Sequence, residues 1–199
     1  MPGATRGLSS ARIGTIADDG RRSPRHDAQE DHVQVSADIR YDADPQRVFT
    51  MLVDPDFQEA KCVATGAIEH SVAVSEYGDG GATIVSRRSM PTHYVPELVR
   101  PFLGGSLVLI ETQEWSAASS DGSRTGSIVV EIHGAPVRFS ASTALAADGA
   151  GTHQPIAGDL KAGIPLIGGR IEKASEPAVT AAIRVEQRTG TAWLAEHPS

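Results

Sequence analysis

Glu131 and His133 stand two apart in SIVVEIH. On a strand their side chains share a face, and a carboxylate beside an imidazole can bind a metal or pass a proton. The same stretch carries Ile128, Val130 and Ile132 on its other face, so Glu131 and His133 are expected on the solvent side as an ordinary hydrated pair. His70 has the opposite phase. It alternates in step with Ile68, Val72 and Val74 and is expected to point inward with them. A buried imidazole there needs a partner, which is a backbone group if the residue is structural and a ligand if it is a cavity acid or base.

Arg88 shares a face with Ile84 and Met90, whereas Arg87 points the other way. An inward guanidinium at this position requires a carboxylate, from Glu111 or Glu114 on the next strand, or an acidic group on a ligand. The plainer alternative is a side chain that snorkels to the sheet edge. Trp115, at the end of that next strand, belongs either in the core or at the mouth of a cavity. HExxH and GxSxG are absent, and His26, His32, His93, His153 and His197 have no ligand spacing. No metal and no cofactor are therefore expected, and catalytic residues are left open, since side chains brought together in space need no motif.

The stretch IPLIGGRIEK poses a sharper choice. Gly168 and Gly169 before a helix, followed by Arg170, could cradle an anion on unpaired N–H groups. A phosphate loop would also carry a lysine and a hydroxyl residue after a buried parallel strand, and both residues are missing. The glycines are read instead as a hinge, where the chain turns sharply from the sheet into the helix.

These side chains need a scaffold, and the composition supplies one. The chain has 199 residues, 40% hydrophobic and 22% charged, which suits one globular domain with its own core. Its single cysteine, Cys62, excludes an internal disulfide and any multi-cysteine zinc site, and reads as a small buried hydrophobe. The net charge of -7 and pI of about 5.4 offer no general attraction to phosphate backbones, so nucleic acid is not an expected partner. No apolar run approaches the roughly 20 residues of a membrane helix, and the start of the chain lacks the apolar centre of a secretory signal. Stable membrane insertion is not expected, and a cytoplasmic location is.

Residues 1–31 have almost no periodic apolar content and are read as a flexible tail, with the domain spanning residues 32–199. The alternation in VQVSADIRY marks a half-buried first strand. Asp44 and Pro45 then open a short helix, which Asp54-Pro55 ends. Further strands are expected around Ile68 to Val74 and in ATIVSRRSM, SLVLIETQEW, SIVVEIH, VRFSASTAL and IAGDLKAGI. Turns at YGDGG, SSDG and AADGAG make neighbours antiparallel. Between the third and fourth strands, PTHYVPELVRPFLGG can present Leu98, Val99 and Phe102 as a cavity cover or as a plain surface connection. The C-terminal stripe Ile167, Ile171, Ala174, Ala178, Ala182, Val185, Thr189, Ala192 has helical spacing, with Pro177 as a kink or a second start and Gly190 as a weak point.

This order of elements resembles the START-like, helix-grip superfamily, also called SRPBCC. It is carried by IRYDADPQRVFTMLVDPDF, by the SRRSMP to TQEW region and by IPLIGGRIEK, over about residues 32–196. Within that superfamily the chain looks most like a bacterial domain-of-unknown-function family. The resemblance implies an α+β helix-grip fold, in which a curved antiparallel sheet of about seven strands wraps a long C-terminal helix around an apolar cavity. It also implies a small apolar molecule or lipid as ligand, and oligomeric state is left open. His70 or Arg88 would be the polar contacts, with Trp115, Ile132, Phe139, Ala178 and Ala182 as further ligand-binding candidates. The rival expectations are a polyketide cyclase-like enzyme and an interaction module whose core is filled by its own side chains.

Overall fold

The computed structural model describes residues 33–91, 97, 100 and 107–198. The expected tail (residues 1–31), His93 and the cover residues Leu98, Val99 and Phe102 lie outside the described residues. The chain runs β1 (Val33–Tyr41), α1 (Pro45–Leu52), α2 (Pro55–Ala64), β2 (Glu69–Glu76), β3 (Ala82–Met90), β4 (Leu107–Trp115), β5 (Arg124–Ile132), β6 (Val137–Asp148), β7 (Gly151–Ala162) and α3 (Gly168–Glu196). The strands form one sheet in the order β1-β7-β6-β5-β4-β3-β2. Every neighbouring pair is antiparallel. The curved sheet grips α3 in the helix-grip arrangement.

Alternation decides which strand faces look inward. On β6, Val137, Phe139, Ala141, Thr143 and Leu145 are all buried, and on β5 Ile128 is buried with Val130 and Ile132 packed against the core. Glu131 and His133 are exposed, and Glu131 accepts a 2.8 Å bond from Arg138 on β6. The core continues through Ile39 and Tyr41 of β1, Ile84 of β3 and Ile156 and Leu160 of β7.

Asp44 caps α1 by accepting the Arg47 backbone N–H at 3.0 Å, with Pro45 at the first helical position. Asp54-Pro55 departs from expectation. It ends α1 but also starts a second helix, because Asp54 accepts the Asp56 N–H at 2.9 Å and Pro55 takes a first-turn position where a missing donor costs nothing. α2 buries Phe57, Gln58, Lys61 and Cys62.

The α3 stripe is rotated from the expected one. Its buried residues are Ile171, Glu172, Glu186, Gly190 and Leu194, with Val179, Ile183 and Trp193 packed at the border of the core. Ala174, Ala178, Ala182 and Ala192 are exposed. Two buried glutamates and a glycine, which hydropathy reads as surface, hold the positions that define the true face. Glu172 accepts the Ala162 N–H at 2.9 Å and ties the first turn of α3 to the end of β7. Gly190 is needed for close packing, because an added Cβ would stand 2.7 Å from the Tyr41 ring on β1. The helix runs as one element through Pro177.

At the turn into α3, a Cβ on Gly168 would lie 2.2 Å from the Ala162 carbonyl oxygen, whereas one on Gly169 would meet open space. The left-handed backbone of this turn falls on Leu166, at φ 69°. Gly168 thus answers a demand for closeness, while the conformational demand sits two residues earlier.

Candidate functional site

The inner face of the sheet and one flank of α3 enclose a cavity of about 330 Å³. Its walls are mostly hydrocarbon, from Leu109, Val130, Phe139 and Leu160 on the sheet and Val179 and Ile183 on the helix. Ile132, Ala178 and Ala182 also line it. The two alanines are both cavity-lining and exposed, which puts them on an open side.

One end of the cavity is charged. Four elements each bring one side chain there: Lys61 from α2, Arg88 from β3, Glu111 from β4 and Glu186 from α3. All four are buried, Lys61 to 1% exposure. Lys61 Nζ donates to Glu111 Oε1 at 2.8 Å and lies 3.5 Å from Glu186 Oε2. Arg88 Nη2 donates to Glu111 Oε2, and Gln113 Nε2 donates to Glu111 Oε1 at 2.7 Å. The chain of bonds extends outward as Trp115 Nε1 donates to Gln113 Oε1 at 3.1 Å.

Local sequence explains the convergence. Lys61 lies one helical turn after Phe57 and shares its buried face. In the β3–β4 ladder Arg88 pairs with Leu109. Glu111, two residues further on, therefore points to the same side of the sheet and within reach of a long guanidinium.

Burying charges carries a large desolvation cost, offset here only by close and mutual pairing. For Glu111, burial works against the carboxylate, but Lys61 and Arg88 outweigh it and hold the group far below the usual carboxylate range. For Lys61, burial opposes the ammonium, yet Glu111 and then Glu186 prevail and raise it above its ordinary value. Burial first, and Glu186 second, push the Tyr41 phenol well above 10.0, so Tyr41 stays neutral. Lys61 and Glu111 are thus fixed in their charged forms. Neither is poised to exchange a proton near neutrality.

Spare capacity lies elsewhere in the quartet. Among the described residues, Glu186 Oε1 and Arg88 Nε are buried with no hydrogen-bond partner, although both side chains line the cavity. Such atoms carry a desolvation cost that a suitable ligand group would relieve.

The sequence-derived candidates divide. Arg88, Ile132, Phe139, Ala178 and Ala182 line the cavity, with Glu111 rather than Glu114 as the carboxylate beside Arg88. His70 does not reach it. It pairs with Arg88 in the β2–β3 ladder and so looks to the same side, but β2 is an edge strand and the His70 side chain is exposed. Phase shows which side chains share a face and does not show whether that face is covered. Trp115 is buried in the core and is linked to the site through Gln113.

Lys61 and Glu186 are not among the residues that the sequence singles out. Lys61 had a signal, since Asp54-Pro55 has the form of a cap and first turn, and a helix started there puts Phe57 and Lys61 on one face. Glu186 follows Val179 and Ile183 at helical spacing, a charge in phase with an apolar stripe. Among the described residues no group of three or more histidine, cysteine or acidic side chains could hold a metal ion.

With this geometry in hand, comparison with known proteins adds three kinds of kinship. A family model described as "Protein of unknown function (DUF2505)" matches residues 36–194. An uncharacterised protein of Mycobacterium tuberculosis is 25% identical over 167 residues, covering 80% of this chain and 94% of its own. The Zhui aromatase/cyclase from a Streptomyces species superposes with a TM-score of 0.54 at 9% identity, covering 80% of this chain and 92% of the other. A STAR-related lipid transfer protein from Xanthomonas axonopodis does so at 0.53 and 13% identity, covering 81% and 85%. At such identities the two structural likenesses speak for the fold alone.

Proposed function

The chain belongs to the DUF2505 family, with a START-like fold, and on that premise we propose that it binds one small apolar molecule or lipid between sheet and helix. The observation that carries this reading is the cavity of about 330 Å³ with hydrocarbon walls and a single charged end. Its volume falls at the lower end of the roughly 300–1,000 Å³ range of small-molecule sites, and it follows their pattern of apolar walls with a few polar groups for orientation. The lipid-transfer protein and the aromatase/cyclase that share the fold are named for two different uses of it. Fixed charge on Lys61 and Glu111 favours binding over cyclase-type proton transfer. An open cavity favours it over an interaction module with a filled core. A cytoplasmic location is part of the same reading, and no helix among the described residues is long and apolar enough to cross a membrane.

Ala182 gives the means of testing it. The residue lines the cavity from its open side, so a larger side chain there fills ligand space without crowding a closed core. The uncharged fluorophore N-phenylnaphthylamine is expected to bind the full chain. Ala182→Phe is expected to weaken that binding by roughly tenfold or more while thermal unfolding stays within a few degrees. Probe titration checks this, and undiminished binding by a folded Ala182→Phe or Ala178→Phe protein would contradict the proposed place of the ligand.

A further inference from the structure

The geometry points to a neutral, hydroxyl-bearing amphiphile as the occupant, with its hydroxyl on Glu186 at the charged end of the cavity. This inference rests on the binding function proposed above and deepens it. Lys61 and Arg88 balance Glu111 and Glu186, so the four charges at that end sum to zero. Glu111 already accepts three hydrogen bonds, from Lys61, Arg88 and Gln113. Glu186 is the loose member, since its Oε2 stands 3.5 Å from Lys61 Nζ and its Oε1 is buried without a partner among the described residues. Arg88 Nε is a buried donor in the same condition.

A ligand group meeting Glu186 Oε1 must donate to a carboxylate, and one that also reaches Arg88 Nε must accept from a guanidinium N–H. A hydroxyl does both. A carboxylate only accepts, and it would bring an uncompensated negative charge beside Glu186. An ammonium only donates, and it would add a positive charge beside Lys61 and Arg88. An ether is neutral but has nothing to donate to Glu186. The hydrocarbon walls from Val130, Phe139 and Leu160 then require an apolar body behind the hydroxyl.

Displacement of N-phenylnaphthylamine from the full chain, at neutral pH, by decanol, decyl methyl ether, decanoate and decylamine separates these cases. Decanol is expected to displace the probe at roughly tenfold lower concentration than any of the other three, the scale of one hydrogen bond to a charged group. In Glu186→Gln the advantage of decanol over decanoate should narrow to less than about threefold, because the repelling charge is gone. If that variant does not fold, the ranking in the unaltered protein decides alone. Decanoate, decylamine or the ether competing as well as decanol would overturn the hydroxyl inference while leaving the cavity reading in place. Failure of the probe itself to bind would overturn the cavity reading and the inference with it.

Discussion

Glu111→Leu is expected to lower folding stability by about 3–5 kcal/mol, the usual cost of removing one partner from a buried ionic network. The carboxylate accepts from Lys61, Arg88 and Gln113 at once, so its loss strands two buried cations and an amide. Among the described residues, Lys61 would keep the 3.5 Å contact with Glu186 and Arg88 the 3.4 Å contact with Thr65 Oγ1. Leucine has the volume to avoid a cavity, which leaves the uncompensated charge as the dominant cost. Glu114→Leu provides the contrast. Glu114 lies on the same strand but is exposed on the opposite face, and its replacement should stay within about 0.5 kcal/mol. Urea unfolding of the two variants measures the difference, and equal costs would mean that the quartet contributes nothing particular to the fold.

The second large effect is a loss of stability on the acid side. Glu111 ionises in the folded protein far below its ordinary value of 4.5. Its contribution is therefore complete above that value and is lost progressively as pH falls towards the folded value. One such group can give a slope approaching about 1.4 kcal/mol per pH unit. Lys61 acts in the opposite sense. Its folded value is raised above 10.5, so its contribution is complete below that value and is lost as pH rises through the folded one. Unfolding free energies measured from about pH 5 to pH 3 should fall steeply in the unaltered protein and distinctly less steeply in Glu111→Gln, which has no proton to take up there. Parallel slopes would show that Glu111 is not held ionised by its neighbours.

Much of the frame is legible in residue order because its physics is local. Alternation in VRFSASTAL places Val137, Phe139, Ala141, Thr143 and Leu145 inward, and all five are buried. The cap at Asp44 and Pro45 is equally local, and α1 begins there. The charged end of the cavity is a different matter, since Lys61, Arg88, Glu111 and Glu186 come from four elements and meet only after the chain has folded. Arg88 stands out because its strand phase conflicts with its polarity, and that conflict leaves Glu111 and Glu114 as possible partners, of which the structure takes Glu111. Lys61 escapes because Asp54-Pro55 has the form of a helix end as well as of a cap. Glu186 escapes because the apolar spacing in α3 runs through alanines, whereas the buried face is formed by Ile171, Gly190 and Leu194 with two glutamates among them.

His70 shows the limit from the other side. Its phase with Ile68, Val72 and Val74 is real, and its pairing opposite Arg88 confirms the side it takes. Ile68 itself is 67% exposed, so that end of β2 lies at an open edge. Coverage of a strand depends on what packs over it, which periodicity within one strand cannot contain.

The most direct measurement of the central claim is native mass spectrometry of the full chain after gentle purification, followed by organic extraction and identification of whatever is released. A bound molecule in one-to-one ratio, with a hydrocarbon body and a neutral polar end, is the predicted result, and filling the cavity through Ala182→Phe should remove it. A chain that emerges at its bare mass and takes up no added apolar molecule, with Ala182→Phe indistinguishable from the unaltered protein, would contradict the account.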